Sequence, residues 1–272
     1  MRIAAFYENI KSASEIEGIP VYDILAELKE LGLELIYISG DSYKEDRDFV
    51  KETLKKLGLG VEGMHQHFDF AHDANNRTYE EFIDLAKEAG ASNILLVPGF
   101  VMPDEKDKEE EILKNMKACM TRAVEYGKKA GVDVCMEDFD SMNSPINSVD
   151  GLDIFFDSIP DLKCAFDTGN FCCYEDDEVK ALEHFKDKIV TVHIKDRGKT
   201  RHNEKDYPCI CHDGIEAWTV PAGTGYIRID EIIQKLKEWG YTGNVIAELY
   251  GYTDAYEGFK TSVKNLKKMI EK

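Results

Sequence analysis

Eight short apolar runs alternate along the chain with longer segments of helical periodicity. The apolar runs, which we interpret as strands, are Ile3–Glu8, Leu33–Ser39, Val61–Phe68, Ser92–Pro98, Asp133–Phe139, Leu162–Thr168, Lys188–Lys195 and Asn244–Tyr250. Between them, segments such as residues 21–28 place apolar side chains on one helix face. Such alternation is typical of parallel strands covered by helices. Eight units predict an α/β protein, a single (β/α)8 TIM barrel over residues 1–272, with a doubly wound open sheet as the alternative.

The charge balance limits the partners that the protein can have. The 272 residues carry a formal net charge of -19, which repels phosphate backbones and anionic membranes. No apolar run approaches the roughly 18 residues of a membrane span, and the N-terminal residues lack the features of a signal peptide. We therefore expect a cytoplasmic protein without nucleic-acid or membrane partners, and the sequence leaves a homo-oligomer open.

Polar residues stand where four consecutive predicted strands end. They are Glu137, Asp167, His193 and Glu248. In a barrel the carboxyl ends of the strands surround one point, so these side chains would converge. Three carboxylates and one imidazole favour Mn²⁺ or Mg²⁺, and they also accommodate Co²⁺ or Zn²⁺. The alternative is that each is an isolated charge that faces solvent or caps a helix.

At this point the whole chain resembles the xylose isomerase-like superfamily of metal-dependent barrels, which includes sugar isomerases, ketohexose 3-epimerases, inosose dehydratases and endonuclease IV. The resemblance rests on five features: Glu137, Asp167-Thr168-Gly169-Asn170, His193-Ile194-Lys195-Asp196, Glu248, and the segment Val220–Gly225 with its Pro-x-Gly-x-Gly pattern. It implies that a divalent metal lies on Glu137, Asp167, His193 and Glu248. It also implies that a sugar or polyol is the substrate.

The resemblance further implies a mechanism. The metal would make a C–H bond beside a ketone more acidic and stabilise the resulting enediolate. Glu137 and Glu248 would remove and return the proton on opposite faces of the substrate. The sequence thus predicts a metal-dependent isomerase or epimerase, with Mn²⁺ as the expected ion. The alternatives are a dehydratase or lyase on a keto-polyol or keto-glycoside, and a non-enzymatic sugar-binding barrel.

A second set of residues is predicted to contact the substrate: His65, His67, Asn170, Lys195, Arg197 and Trp218. We expect only one of the two histidines to point into the barrel mouth, because side chains alternate along a strand. Arg197 and Trp218 belong to a long connection, residues 196–228, which is typical of a functional lid and would place both over the substrate. Structural salt bridges and ordinary loop packing are the alternatives for these residues.

One position departs from the pattern of the superfamily. Ketohexose epimerases and endonuclease IV commonly carry a histidine where this chain has Asn170, and asparagine is a poor zinc ligand, which argues against a multi-zinc site. The chain also has seven cysteines, an odd number. We interpret Cys172-Cys173 and Cys209-Ile210-Cys211 as loop thiols without a shared metal, because no pair of C-x-x-C motifs is present.

Overall fold

The computed structural model describes residues 1–272 and confirms the barrel. Its strands are β1 (Ile3–Phe6), β2 (Leu33–Ser39), β3 (Gly60–His67), β4 (Asn93–Val97), β5 (Asp133–Met136), β6 (Lys163–Asp167), β7 (Ile189–Ile194), β8 (Asp196–Gly198), β9 (Cys209–Ile210), β10 (Glu216–Val220) and β11 (Asn244–Ala247). Strands β1 to β7 and β11 form a closed parallel barrel, in which β11 pairs with both β7 and β1. Closure excludes the open sheet that the sequence left as the alternative.

The barrel strands are covered by helices whose apolar faces pack inward. The helices are α1 (Tyr7–Glu17), α2 (Val21–Leu31), α3 (Gly40–Leu57), α4 (Tyr79–Ala89), α5 (Glu109–Ala130), α6 (Val149–Phe156), α7 (Glu178–His184), α8 (Ile229–Glu238) and α9 (Ala255–Glu271), with 3-10 turns at Pro103–Lys108 and Phe171–Tyr174. In α2 the buried residues are Ile24, Leu25 and Leu28, as the periodicity predicts. None of the helices combines the length and the apolar character needed to cross a membrane.

The hydrophobic core has two layers. The larger layer lies between the barrel and its helices, and the smaller one fills the barrel interior. Interior side chains alternate with outward ones along each strand. On β1, for example, Ala4 and Phe6 point inward, whereas Ile3 and Ala5 pack toward the helices. The barrel interior is therefore filled with side chains, and Phe6 lines the cavity that opens above them.

The ends of three strands differ most from the sequence prediction. The first predicted strand extends to Glu8, but β1 ends at Phe6 because Tyr7 already begins α1. The β5 and β11 strands end one residue before Glu137 and Glu248. Both glutamates therefore leave the sheet at the barrel mouth, where their carboxylates are free to turn toward the centre.

The long connection after β7 is partly folded. Strands β8, β10 and β9 form a small antiparallel sheet at the barrel mouth. The Asp196 carboxylate fixes the end of this insertion, because its Oδ2 atom accepts hydrogen bonds from the backbone N–H groups of Gly223, Thr224 and Gly225 at 2.8–3.0 Å. A Cβ atom on Gly225 would lie 2.3 Å from the Arg197 carbonyl oxygen. This close approach explains the last glycine of the Pro-x-Gly-x-Gly segment.

Candidate active site

A cavity of about 570 Å³ opens at the carboxyl end of the barrel. Its walls combine apolar side chains with charged ones; the lining residues predicted from sequence are His65, His67, Glu137, Asn170, Lys195, Arg197 and Glu248. Asp167 and His193 lie at its base and are fully buried. A pocket of this size, lined by both charged and apolar side chains, suits a small polar molecule.

Four of the strand-end side chains meet at the base of this cavity. Ligand atoms of Glu137, Asp167 and His193 all lie within 4.8 Å of one another. The Nδ1 atom of His193 is 2.8 Å from Glu137 Oε2 and 3.6 Å from Glu248 Oε2. The structure thus brings the four predicted metal ligands together from β5, β6, β7 and β11.

Several polar atoms of this cluster lack hydrogen-bond partners. They are Glu137 Oε2, Asp167 Oδ2 and both ring nitrogens of His193. Buried unpaired polar atoms cost free energy, so native structures rarely leave several of them together. A cation would satisfy the two carboxylate oxygens and one of the ring nitrogens at once. The residues present therefore fit a divalent metal site made of oxygen and imidazole ligands.

The charge around His193 supports the same conclusion. Burial alone lowers the pKa of an imidazole, but the carboxylates of Glu137, Glu248 and Asp167 outweigh it and raise the pKa of His193 to about 9. Negative charge in the cluster therefore draws a positive charge into it. Burial also raises the pKa of Asp167 to about 6, although Lys195 opposes the shift.

Lys195 balances part of this negative charge. Its Nζ atom lies 2.6 Å from Glu248 Oε1 and 3.4 Å from Asp167 Oδ2. It also donates a hydrogen bond of 2.9 Å to Asn170 Oδ1. The other Asp167 oxygen, Oδ1, accepts from the backbone N–H groups of Gly169 and Asn170. These contacts fix the orientation of two predicted metal ligands.

Asn170 and Arg197 line the cavity but are already engaged within the protein. The Asn170 Nδ2 group donates to the Asp138 carbonyl at 2.9 Å, and its Oδ1 atom accepts from both Lys195 and Arg197. The Arg197 guanidinium also bonds Gly169 O at 2.9 Å and Asp140 Oδ2 at 2.7 Å. Both side chains thereby tie the insertion to the barrel end.

The prediction for the two β3 histidines was wrong in its geometry. His65 and His67 both line the cavity, because residues two apart on a strand point to the same face. The His65 ring nitrogen Nε2 lies 3.4 Å from Glu8 Oε2. His67 packs near the rings of Phe100 and Phe139, and its burial lowers the pKa of the imidazole.

Trp218 is placed differently from its prediction. It lies buried on β10, opposite Gly198, and is not among the residues that line the cavity. The side of the cavity that faces the insertion is instead formed by Tyr207, Pro208, Cys209 and Ile210. Sequence pattern did not single these residues out, because their approach to the barrel depends on how the insertion folds.

Asp140 is a further cavity residue that the sequence prediction missed. Its carboxylate lies 2.7 Å from Arg197 Nη2 and 3.8 Å from Lys195 Nζ. Although burial opposes the change, these two cations keep the pKa of Asp140 below its ordinary value. Its position shortly after β5, in the same connection as Glu137, was the available signal.

Comparison with known proteins places this chain in a family of TIM barrels. The family model of the xylose isomerase-like TIM barrel matches residues 25–269. The chain therefore belongs to the xylose isomerase-like TIM-barrel family. No protein of curated function is significantly similar in sequence.

Solved structures share the fold over their full length. A probable 3-DHS dehydratase, AsbF from Bacillus anthracis, aligns with a TM-score of 0.76 and 18% identity over 98% of this chain and 99% of its own. A D-tagatose 3-epimerase-like protein gives 0.74 and 20% over 100% and 97%. The IOLI protein, solved with a binding zinc atom, gives 0.73 and 19% over 100% and 98%. At these identities the similarity shows the fold alone.

Proposed function

We propose that this protein is a divalent-metal-dependent sugar isomerase or epimerase. The observation that carries the proposal is the placement of Glu137 and Glu248. Both carboxylates line the cavity, and both approach the same His193 nitrogen, at 2.8 and 3.6 Å. Two carboxylates beside one metal site are what proton transfer to and from a sugar carbon requires.

The barrel topology sets the positions of the proposed acid and base. Glu137 follows β5 and Glu248 follows β11, while Asp167 and His193 come from β6 and β7 between them. A substrate above Asp167 and His193 would therefore have a carboxylate on each side. One carboxylate would remove the carbon-bound proton, and the other would return a proton at the opposite face or at the neighbouring carbon.

Glu137, Asp167, His193 and Glu248 would hold the ion, and their oxygen-rich set makes Mn²⁺ the first choice. When bound, the ion would supply the positive charge that makes the proton beside a ketone more acidic and stabilises the enediolate. Lys195 orients Glu248 through the contact of 2.6 Å. His65 and His67 would donate to or accept from substrate hydroxyl groups.

The apolar part of the cavity supports the same chemistry. Leu95, Val97 and Phe139 line the wall beside the charged cluster. Because apolar walls exclude water, they strengthen electrostatic interactions with a developing negative charge. The cavity thus has a charged cluster at its base and apolar side chains on the adjoining wall.

The proposal is tested by hydrogen exchange between substrate carbon and solvent. Ketoses, inososes and 3-keto-glycosides are incubated in D₂O with the chelated protein and then with added Mn²⁺. Deuterium in carbon is followed by mass spectrometry and NMR. We expect exchange only with the metal, and we expect Glu137→Gln and Glu248→Gln to lose about 10²–10⁴-fold in rate.

Glu34→Gln provides the matched control, because Glu34 is exposed on β2 away from the cavity. It should exchange at the rate of the unchanged protein. Equal exchange in all three variants, or exchange that survives complete chelation, would overturn the proposal. A product that has lost water or another leaving group would instead establish the dehydratase or lyase alternative.

A further inference from the structure

Cysteines far apart in the sequence form a compact cluster beside the cavity. Cys173 lies in the 3-10 turn after β6, and Cys209 and Cys211 lie at the tip of the insertion. The sulfur atoms of these three residues all fall within 4.8 Å of one another. Cys172 packs against the same group. We name these four residues the thiol cluster.

The backbone explains how the cluster forms. Cys209 pairs with β10 through Ala217, and Cys211 follows two residues later, so both side chains leave the strand on the same side. The turn is closed by a hydrogen bond from Cys211 N to Ile215 O at 2.9 Å. His212 N then donates to Cys173 O at 2.9 Å, which joins the hairpin tip to the turn after β6.

We propose that the thiol cluster binds a structural zinc ion that is separate from the metal at the cavity base. Cys173, Cys209 and Cys211 would supply three ligands. The sulfur of Cys172 lies outside this group of three and donates to Gly169 O at 3.2 Å, so Cys172 would complete a set of four only after its side chain turns. Thiolates select zinc over hard cations, and four ligands are typical of structural sites. Zinc–sulfur bonds of about 2.3 Å require sulfurs roughly 3.8 Å apart, so Cys173 and Cys209, whose sulfurs are 2.8 Å apart, would move apart on binding the ion.

A simple disulfide explains only part of the arrangement. The sulfurs of Cys173 and Cys209 are 2.8 Å apart, a distance that lies between the length of a disulfide bond, about 2.0 Å, and the spacing of two thiolates on one zinc ion, about 3.8 Å. A bond between these two would also leave Cys211 unused, although its sulfur lies equally within the cluster. Three sulfurs around one point match a shared ion.

A buried cation lies beside the thiol cluster. The Arg197 guanidinium is close enough to Cys173 and Cys209 for their charges to affect its pKa. Arg197 also donates hydrogen bonds to Asp140 and Asn170, so it connects the thiol cluster to the cavity wall.

The zinc site would fix one wall of the cavity. Tyr207, Pro208, Cys209 and Ile210 line the cavity, and they precede Cys211 in the same hairpin. The hairpin tip is otherwise held by its pairing with β10, by backbone hydrogen bonds, by the contact of Cys209 Sγ with Asp140 O and by the stacking of His212 on Tyr174. The ion would tie it to the turn after β6, which follows the proposed metal ligand Asp167.

Cobalt substitution provides the sharpest test. The protein is unfolded with a chelator and a reductant, refolded with Co²⁺, and examined by absorption spectroscopy. Coordination by thiolates gives an intense sulfur-to-cobalt charge-transfer band in the near ultraviolet. The site at the cavity base contains no sulfur and cannot produce this band. We expect a band that saturates at one Co²⁺ per chain and is displaced by Zn²⁺; its absence would overturn the proposal.

Matched variants identify the ligands. Cys209→Ser and Cys211→Ser should each lower Co²⁺ affinity by about 100-fold or more. Removal of a residue that only supports a ligand costs up to about 100-fold, and removal of a ligand itself should cost at least as much. Cys119→Ser, a buried thiol on α5, should leave the band unchanged. Circular dichroism of each refolded variant verifies its folding.

Native protein, purified under reducing conditions, should in addition retain one zinc after dialysis against a chelator and release it when the thiols react with a mercurial. A band that persists in Cys209→Ser would contradict the assignment. So would a Cys173–Cys209 disulfide found by mass spectrometry in place of the ion.

Discussion

The Nδ1 atom of His193 lies 2.8 Å from Glu137 Oε2, so the two side chains form an ion pair when the imidazole is protonated. When the imidazole is neutral and Nδ1 carries no proton, two atoms with lone pairs face each other instead. With Asp167 Oδ2, which lies 3.4 Å from Lys195 Nζ, they surround one point at the base of the cavity. This arrangement is costly without a cation and favourable with one.

Replacing a central carboxylate should therefore have opposite effects with and without metal. We expect Asp167→Asn to weaken Mn²⁺ binding by at least about 10–100-fold. Loss of a residue that only supports a metal ligand already costs that much affinity. In chelated protein the same change removes a buried charge from a negative cluster and should raise the free energy of unfolding. Calorimetric titration and urea unfolding measure the two effects. A variant less stable in both states would contradict this view.

Lys195 should matter most when no metal is present. Its ammonium group pairs with Glu248 and Asp167, both buried. Lys195→Met would leave those carboxylates uncompensated, and we expect a loss of about 3–5 kcal/mol in the free energy of unfolding of chelated protein. Bound Mn²⁺ should reduce the loss, and the variant should bind Mn²⁺ more tightly.

Urea unfolding with a chelator and with Mn²⁺ measures the Lys195 effect. Lys235→Met is the matched control, since Lys235 forms an ion pair with Glu183 at the surface. Exposed pairs contribute little to stability, so this control should unfold almost as the unchanged protein does. Equal losses for Lys195→Met in both conditions would show that Lys195 does not compensate the metal ligands.

The Asp196 carboxylate should be a major structural contact of the insertion. Its Oδ2 atom accepts from three successive backbone N–H groups in the Pro-x-Gly-x-Gly segment. Asp196→Ala leaves these donors unpaired, at roughly 1–3 kcal/mol each where water cannot replace the carboxylate. We expect the free energy of unfolding to fall by about 3 kcal/mol. Asp196→Asn keeps one acceptor oxygen and should lose less; equal losses would rule out the hydrogen bonds as the cause.

The sequence predicted the parts of the site that follow from the barrel itself. Once eight parallel strands close, their carboxyl ends must meet, so Glu137, Asp167 and His193 could be placed together without coordinates. The pairing of Lys195 with Glu248 could not, because it depends on side-chain directions beyond the strand ends.

The contacts of the insertion, residues 196–228, could not be predicted from the sequence pattern. The sequence separates Cys173 from Cys209 by 36 residues, and only the folding of the hairpin against the turn after β6 brings their sulfurs together. The same folding turns Trp218 away from the cavity and brings Tyr207 to its wall. Long connections lack the hydrophobic periodicity from which strands and helices are predicted, so their contacts could not be predicted from the sequence.

His67 should contribute to substrate binding more than to the chemical step. It lines the cavity on the β3 side, and its lowered pKa keeps the imidazole neutral near pH 7. Loss of one neutral hydrogen bond costs about 0.5–1.5 kcal/mol, so we expect His67→Gln to reduce kcat/KM by about 2–10-fold, mainly through KM. Steady-state kinetics measure this, with the exposed His72 replaced by Gln as the control. A fall in kcat at unchanged KM would assign His67 to the chemistry instead.

Metal binding should release a proton from His193. In metal-free protein the neighbouring carboxylates overcome the effect of burial and raise the pKa of His193 to about 9, so the imidazole is protonated at neutral pH. A metal ligand must be neutral imidazole, and Mn²⁺ must therefore displace that proton. We expect about one proton released per ion near pH 7.5, and an affinity that rises about tenfold per pH unit until it levels off near pH 9. Calorimetric titration in buffers of different ionisation enthalpy counts the protons directly.

Because the folded-state pKa of His193 lies above that of a free imidazole, the protonated form also stabilises chelated protein, and this stabilisation should be lost as the pH rises from about 6.5 to 9. His193→Gln should abolish both pH dependences, and a proton count near zero in the unchanged protein would show that the carboxylates do not hold His193 in its charged form.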